Sequence, residues 1–510
     1  MIRGDRESQT VANRALSGIA GLDQVLRGGF PRNRLYVVEG NPGAGKTTLA
    51  LQFLLEGMRH GETVLYVTLS ETAEELYEVA ESHGWSLDGI HLLELGSLEG
   101  RLQDDAEYTV YHPADVELGE TTRRIREEVE RIRPTRVALD SVSELKVLSQ
   151  TTARYRREIL GFKQFFVGKG CTVLVLDDRT SSENEQQLQS IAHGVIRMER
   201  ATRDYGATRR QLHVIKMRAV RFRDGMHDFV IRSGGIDLFP RLAVVEKAPG
   251  DPADATVLSG VEGLDSLLGS GLDRGSSTLV LGPAGCGKTT LSSQFLIAAL
   301  ERGEAACCFL FEESRHTFLQ RARGLGMKFE PHLASGLFRL IQIDPAEVSP
   351  GEFASQICQE VETRNARVVV IDSVNGYLNA MPSERFLVIQ LHELLAYLGQ
   401  KGVVTLLVMA QHGMLGTAMQ APIDVSFLAD TVILLRYFEA MGEIRQALSV
   451  VKKRRSTHER TIREMRLGPG GVLVGAPLRE FEGVLTGVPR YSGPARPLLR
   501  SDNGVRSENE

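Results

Sequence analysis

Short apolar runs alternate with amphipathic stretches along most of this chain. The clearest runs are residues 64–69, 137–139, 173–176, 307–311, 368–371 and 404–409. Between two of them, Ile125, Val129 and Ile132 recur at i, i+4 and i+7 in a charged stretch, which predicts the inner face of an amphipathic helix. Apolar strands that alternate with helices indicate a largely parallel sheet covered on both faces. The sequence therefore predicts an α/β fold with mostly parallel sheets flanked by helices.

The sequence contains this pattern twice. Residues 16–23 (LSGIAGLD) reappear as residues 258–265 (LSGVEGLD), and residues 52–54 (QFL) reappear as residues 294–296. Each of these segments recurs 242 residues further on. Lys46 and Lys288, which end two similar glycine-rich loops, have the same offset, since 288 − 46 = 242. A constant offset over dozens of residues indicates a tandem duplication of one domain.

The duplication sets the expected domain boundaries. Residues 14–240 form the first domain and residues 258–488 the second, each large enough for its own core. Residues 1–13 are an N-terminal arm, and residues 241–257 are a linker because they are small, polar and interrupted by proline. Residues 489–510 are rich in Pro, Arg, Ser and Asn, which predicts a disordered tail.

Composition narrows the functional classes. Among 510 residues, 42% are hydrophobic and 25% charged, with a net charge of −5, which favours a soluble globular protein without a general attraction to nucleic acid. We find no apolar run of about 18 residues and no signal peptide, so we expect a cytoplasmic protein without a membrane partner. The five cysteines form no C-x-x-C pair, which favours free thiols in a reducing compartment.

Two glycine-rich loops carry the strongest chemical signal. Each fits G-x-x-x-x-G-K-[ST] and lies between an apolar run and a helix-like stretch, the context of a phosphate-binding loop. Backbone N–H groups of such a loop cradle phosphate oxygens, the lysine reaches the β- and γ-phosphates, and the Thr hydroxyl holds Mg²⁺. We therefore predict two ATP sites, formed by Gly40, Gly43, Ala44, Gly45, Lys46, Thr47, Thr48, and by Gly282, Gly285, Cys286, Gly287, Lys288, Thr289, Thr290.

Carboxylates at strand ends complete the predicted chemistry. Asp140 and Asp372 each end an apolar run and precede a serine, so with Thr47 and Thr289 they are the candidate Mg²⁺ ligands. Glu312 and Glu313 follow residues 307–311, at the sheet edge where the γ-phosphate would lie. The alternative for this pair is an acidic helix N-terminus.

The first copy has Ser70-Glu71 at the positions of Glu312 and Glu313. A serine cannot replace a carboxylate as a base, so Glu71 is the only catalytic candidate there and the first site is the poorer one.

A basic cluster follows a strand late in each copy. The clusters contain Lys216 and Arg218 in the first copy, and Lys452 and Arg454 in the second. Three interpretations remain open: a nucleic-acid patch, which lacks interleaved aromatic residues, a solvated basic face, and a group that reaches a neighbouring subunit's nucleotide as an arginine finger does.

Together these residues resemble the KaiC family of tandem RecA-like ATPases. The resemblance rests on the doubled GxxGxGKTT loops, residues 311–314 (FEES), the Asp-Ser strand ends, the Lys-x-Arg clusters, and residues 429–435 and 481–484. The resemblance covers roughly residues 16–489 and implies a hexamer of two stacked rings with ATP and Mg²⁺ at subunit interfaces. Lys216, Arg218, Lys452 and Arg454 would then contact a neighbour's nucleotide.

The resemblance also implies ATP hydrolysis by the N-terminal ring and a Ser/Thr autokinase in the C-terminal ring. The family's adjacent acceptor pair falls on Ser426-Phe427, so only the serine keeps an acceptor oxygen. A two-site phosphorylation cycle is therefore not expected, whereas Ser426 remains a phospho-acceptor candidate.

Three functions compete at this stage. The first is a ring-forming ATPase with serine autokinase activity in the second domain. The second is a nucleotide-gated signalling scaffold with little turnover, whose tail binds signalling proteins. The third is a RecA- or helicase-like DNA-handling ATPase, which the acidic composition and the absence of an evident accessory DNA-binding domain disfavour.

Overall fold

The computed structural model divides the chain into two compact units. It describes residues 13–95, 113–179, 185–202, 206–242, 255–379, 387–411, 425–440, 442–485 and 489–493. One unit comprises residues 1–243 with 347–355, and the other comprises residues 244–346 with 356–510. Among the described helices, none is both long and apolar enough to cross a bilayer.

The first unit is built on a nine-stranded sheet. Its strand order is β11-β10-β9-β8-β3-β7-β6-β4-β5, in which the pairs from β8 to β5 are parallel and those from β11 to β8 are antiparallel. The strands and helices are β1 (Arg14–Ala15), α1 (Ala20–Val25), β2 (Phe30–Pro31), β3 (Leu35–Gly40), α2 (Lys46–Arg59), β4 (Val64–Thr68), α3 (Ala73–Ser82), β5 (His91–Glu94), α4 (Pro113–Ile132), β6 (Arg136–Asp140), α5 (Val142–Ser149), α6 (Thr152–Gly168), β7 (Thr172–Asp178), α7 (Glu185–Ile191), β8 (Gly194–Ala201), β9 (Arg209–Met217), β10 (Met226–Arg232) and β11 (Gly235–Phe239).

The second unit repeats this architecture. Its nine strands are ordered β16-β15-β17-β18-β14-β19-β20-β21-β22, with the pairs from β16 to β19 parallel and the rest antiparallel. Its elements are β12 (Thr256–Val257), α8 (Glu262–Leu267), β13 (Leu272–Asp273), β14 (Ser277–Gly282), α9 (Lys288–Glu301), β15 (Ala306–Leu310), α10 (Arg315–Gly324), α11 (Glu330–Ala334), β16 (Phe338–Gln342), α12 (Pro350–Arg364), β17 (Val368–Asp372), α13 (Val374–Asn379), α14 (Leu387–Gln400), β18 (Val404–Ala410), β19 (Thr431–Ala440), β20 (Glu443–Lys453), β21 (Ile462–Gly468), β22 (Gly471–Pro477), β23 (Phe481–Glu482) and β24 (Arg490–Tyr491).

Both faces of the first sheet are buried. Tyr36 and Val38 of β3 pack into one core with helix α2, whereas Leu35 and Val37 pack into the other with helices α4 and α6. Alternate residues of one strand thus enter different cores, which explains why the central strands are apolar throughout. The predicted fold class, two tandem mostly parallel sheets flanked by helices, is confirmed.

The predicted amphipathic helix is α4. Ile125 and Val129 are buried and Ile132 is partly buried against the same core. Much of the predicted linker and tail, and nearly all of the N-terminal arm, lie outside the described residues. At the start of the predicted tail, β24 pairs with β23.

Among the described residues, the largest fully buried side chain is an arginine. Arg136 is 1% exposed at the start of β6, and its guanidinium donates to Glu62 through Nε at 2.8 Å. It also donates to the carbonyls of Leu16 and Phe53, each at 2.7 Å. The second unit has Val368 at the corresponding strand start, so this polar network is particular to the first unit.

We predict that Arg136→Met destabilises the first unit by about 1–3 kcal/mol, because it removes the side-chain donor of two buried carbonyls and one of the two arginine partners of Glu62, which keeps Arg32. The measurement is urea unfolding followed by the fluorescence of Trp85, the single tryptophan of the chain, which packs at the edge of the first unit's core. The control is Arg123→Met, which removes an exposed ion pair and should leave the midpoint unchanged. An Arg136→Met chain with the wild-type midpoint would contradict this account.

Candidate functional site

The two phosphate loops occupy equivalent places in their sheets. Each loop leaves the end of a central parallel strand, β3 or β14, and ends where helix α2 or α9 begins at the lysine. The residue before each lysine, Gly45 or Gly287, has a φ of 105° or 95°, a conformation that a side chain would strain. Helices that begin in this way direct free N–H groups at the loop, as phosphate binding requires.

All fourteen predicted loop residues lie in these two segments. The remaining members of the first loop are Gly40, Gly43, Ala44, Lys46, Thr47 and Thr48, and those of the second are Gly282, Gly285, Cys286, Lys288, Thr289 and Thr290. Cys286 is buried against the second core, so its thiol packs as an apolar group instead of facing the phosphates.

The strand-end aspartates meet the loop threonines. In the first copy, the Thr47 hydroxyl donates to Asp140 Oδ2 at 3.0 Å, and in the second, Thr289 lies close enough to Asp372 to influence its carboxyl. Burial raises the pKa of Asp372 to about 6, against the lowering effect of the nearby Thr289 hydroxyl. Asp140 is raised in pKa by burial too. The predicted carboxylate and hydroxyl of each site are therefore brought together.

These donors fit a magnesium ion. Mg²⁺ prefers oxygen ligands, keeps several waters, and is usually held by one or two carboxylates together with substrate phosphates. Within the described residues, Asp372 Oδ2 is buried without a hydrogen-bond partner, an oxygen that a hydrated cation would satisfy. No cluster of three or more His, Cys, Asp or Glu in the described part of the chain could hold a metal alone, so phosphate oxygens and water would supply the other ligands.

The first copy holds its aspartate differently. Tyr66 donates to the same Asp140 Oδ2 at 2.6 Å, beside the Thr47 bond, whereas the second copy has Cys308 at the corresponding position of β15. Tyr66 was not among the predicted site residues. The sequence did contain a signal for this residue: Tyr66 and Cys308 are 242 residues apart, so they occupy equivalent positions in the two copies and differ in chemistry.

In the second copy the two predicted glutamates have separate partners. The Ser373 hydroxyl donates to Glu312 Oε1 at 2.9 Å, and Glu313 forms an ion pair with Arg321 of α10. Ser373 directly follows Asp372, so Glu312 is tied to the strand end that carries the candidate Mg²⁺ ligand. Ser373 was not predicted as a partner of Glu312 because the two residues are 61 positions apart, and Arg321 was not predicted as a partner of Glu313 although it follows only eight residues later.

In the first copy Glu71 has a different environment. Its Oε2 is buried without a hydrogen-bond partner among the described residues, and the counterpart of Arg321 is Val79. Burial, reinforced by the negative charge of Asp140, raises the pKa of Glu71 to about 7. This carboxyl is therefore partly protonated near neutral pH.

The Lys-x-Arg residues lie near the starting ends of the parallel strands, whereas the phosphate loop of the same copy follows the other end of its strand. The Arg454 N–H donates to the Asp430 carbonyl, and the Asp430 N–H donates to the carbonyl of Ser277, the first residue of β14. Arg218 is linked in the same way, through His193, to Leu35 at the start of β3. The loops begin five residues further on, about 17 Å along each strand.

The basic side chains bind the chain's own carbonyls. Lys452 Nζ donates to Ser426 and Ala429, each at 2.8 Å, and Lys216 Nζ donates to Gln189 at 2.6 Å. The guanidinium of Arg454 donates to Phe427 at 2.8 Å and that of Arg218 to Ser190 at 3.0 Å. In the second copy these contacts fix Lys452 and Arg454 beside the segment that contains the acceptor candidate Ser426. Phe427, next to it, is 55% exposed.

Comparisons with known proteins agree with this architecture. A family model described as the KaiC ATPase matches residues 15–243 and again residues 257–479. The chain is 28% identical over 489 residues to the circadian clock oscillator protein KaiC of Picosynechococcus sp., a match that covers 92% of this chain and 91% of the relative.

Two further relatives are similar over the same extent. Circadian clock protein KaiC3 of Synechocystis sp. is 27% identical over 488 residues, which is 93% of this chain and 94% of that protein. Circadian clock oscillator protein KaiC of Synechococcus elongatus is 27% identical over 489 residues, covering 92% and 91%. Because the family model spans both copies, this chain belongs to the KaiC ATPase family, with two tandem RecA-like ATPase domains in one polypeptide.

Proposed function

We propose that this chain is a ring-forming ATPase that binds Mg-ATP at both phosphate loops and hydrolyses it chiefly in the second copy. The observation that carries the proposal is the set of groups at the end of β17. Asp372 lies beside Thr289, and Ser373, the next residue, donates a hydrogen bond to Glu312. A metal-binding carboxylate and a positioned base beside one phosphate loop are the groups that phosphoryl transfer to water requires.

Glu312 is the proposed general base. The Ser373 hydroxyl occupies Oε1, which leaves the other carboxylate oxygen to accept a proton from water. As the water oxygen bonds to the γ-phosphorus, the bond from that phosphorus to the β–γ bridging oxygen breaks, and ADP leaves with the electron pair. Lys288 stabilises the charge that develops on the phosphate oxygens, and bound Mg²⁺ would neutralise part of it.

The first copy is proposed to bind ATP with slower turnover. Ser70 cannot accept a proton as a carboxylate does, and the raised pKa of Glu71, about 7, keeps part of that carboxyl protonated near neutral pH. A site that binds nucleotide and hydrolyses it slowly suits the role of holding subunits together.

We expect Glu312→Gln to lower the rate of phosphate release by about 100-fold or more, the typical contribution of a positioned base. All samples carry Glu71→Gln, which silences the first site without removing its loop. The control is Glu330→Gln, which alters an exposed glutamate paired with Arg323 and should leave the rate unchanged. Turnover that survives Glu312→Gln would refute the base assignment and favour the nucleotide-gated scaffold.

A homo-oligomer, with a hexamer as the expected form, is proposed to complete each site. Lys452 and Arg454 lie a strand length from their own phosphate loop, so they can reach a nucleotide only if it is bound to another subunit. Lys216 and Arg218 have the same relation to the first loop. A cation that stabilises the transferred phosphoryl group from a neighbour acts as an arginine finger, worth roughly 10³–10⁵ in rate.

Mixing two inactive variants tests this assignment. One variant carries Lys452→Ala with Arg454→Ala and keeps its loop, whereas the other carries Lys288→Ala and keeps its basic pair. We expect each to be nearly inactive alone, and mixed rings to recover ATP turnover because an intact loop then meets an intact basic pair. The matched control is a chain with all three substitutions, which should rescue neither. If mixed rings form and stay inactive, the proposed contact across subunits is wrong.

Serine autokinase activity in the second domain belongs to the same proposal. Ser426 is half-buried beside the carbonyls that bind Lys452, at the edge remote from its own loop, so its hydroxyl would accept phosphate only from a neighbour's ATP. Phe427 offers no second acceptor.

After incubation with Mg-ATP we expect one added phosphate per chain, mapped to Ser426 by mass spectrometry of the digest. Ser426→Ala should abolish the added mass and leave phosphate release intact, because the serine takes no part in hydrolysis. Phosphate release by a wild-type chain whose mass stays unchanged would limit the protein to ATP hydrolysis.

A further inference from the structure

All three N–H groups of the Lys46 ammonium have acceptors within the first copy. Its Nζ lies 2.6 Å from Asp178 Oδ1, and it donates to the carbonyls of Gly40 at 3.0 Å and Asn41 at 3.1 Å. An ammonium has three N–H donors, and these three contacts account for all of them. A phosphate oxygen must therefore replace one of these acceptors before Lys46 can bind it.

Asp178 is held at this position by the sheet. It is the last residue of β7, directly opposite Gly40 in the parallel register with β3. Its backbone N–H donates to the Ser143 hydroxyl at 3.1 Å, and the same hydroxyl donates to Asp177 Oδ1. The carboxylate of Asp178 thus lies beside the loop because the strand end is fixed, with its side chain only 33% exposed.

The second copy has no charge at this place. In the same register, Gly282 lies opposite Ala410, and Lys288 Nζ donates to the Pro283 carbonyl at 2.7 Å. The two loops are otherwise alike in sequence and conformation. Asp178 is therefore a difference between the copies that acts on the lysine itself.

The first site already carries excess negative charge. Glu71, Asp140 and Asp178 share the surroundings of Lys46, and burial together with the two aspartates keeps the pKa of Glu71 near 7. A γ-phosphate that takes the Lys46 ammonium leaves Asp178 without its counter-charge next to a new anion. Like charges at such distances oppose binding, and the effect is strong where water is partly excluded.

We propose that Asp178 is a built-in anionic competitor for the nucleotide's terminal phosphate, and that it makes the first site less selective for nucleoside triphosphate over diphosphate. The inference rests on the proposed ATP binding at both loops. Lys46 reaches the β- and γ-phosphates, so a triphosphate brings more charge against Asp178 than a diphosphate does. The first copy would accordingly exchange ATP and ADP more freely than its loop sequence alone indicates.

Binding of two fluorescent nucleotides to full-length chains tests this proposal. The probes are the N-methylanthraniloyl derivatives of ADP and of the non-hydrolysable β,γ-imido analogue of ATP, both with Mg²⁺, and all first-site samples carry Lys288→Ala to remove the second site. Asp178→Asn keeps the shape of the side chain and removes its charge. We expect the triphosphate analogue to bind the Asp178→Asn chain about tenfold more tightly than its Lys288→Ala parent. The affinity for ADP should rise by a smaller factor.

Two controls isolate the charge. Asp177→Asn removes the neighbouring carboxylate, which bonds Ser143 instead of Lys46, and should leave both affinities unchanged. Ala410→Asp, made in a chain that carries Lys46→Ala, introduces a carboxylate at the corresponding position of the second site. The triphosphate analogue should bind this chain more weakly than it binds the Lys46→Ala parent.

Unchanged or weaker binding of the triphosphate analogue to Asp178→Asn would overturn the proposal, as would an equal gain for both nucleotides. Failure of the proposed function is a different result: neither probe would then bind the first site of the Lys288→Ala parent.

Discussion

The polarity of the parallel strands governs the placement of every candidate group in this protein. All parallel strands of one sheet end at the same edge, where the phosphate loop, the aspartate and the glutamates gather. The antiparallel strands that follow return the chain to the starting edge, so the Lys-x-Arg residues are fixed about 17 Å from the loop they follow in sequence. Under the proposed function, a single copy therefore holds part of a catalytic site at each end of its strands, and a neighbour of the same kind completes both parts.

The duplication keeps this frame and changes the side chains in it. In the second copy Ser373 donates to Glu312, the proposed base, and Arg321 forms an ion pair with Glu313. At the first site a serine replaces the base, Tyr66 caps the aspartate, and Asp178 holds the loop lysine. We propose that each change in the first copy lowers the capacity of its site for hydrolysis, and none alters the loop itself. Two sites with one fold can thus divide binding and turnover between them.

The fold was predictable from the sequence because its signals are local. The apolar runs became the parallel strands, and the spacing of Ile125 and Val129 identified helix α4. The loops were predicted because the phosphate-loop motif has a fixed internal spacing and recurs 242 residues later, whereas Asp140 and Asp372 were predicted because each ends an apolar run and precedes a serine. The contacts of Tyr66 with Asp140 and of Asp178 with Lys46 join elements that are far apart in sequence, and only the sheet register shows which of them meet. The buried Arg136 was missed for the same reason, since a charged residue at a strand start is normally exposed.

The central claim is that each site is incomplete until another chain supplies its basic pair. The most direct test is ATP turnover per chain measured across a dilution series, with the assembly state followed in the same samples by mass photometry. The account predicts that turnover per chain falls in step with the loss of rings and approaches zero for the monomer. A monomer that hydrolyses ATP at the rate of the assembled protein would contradict it.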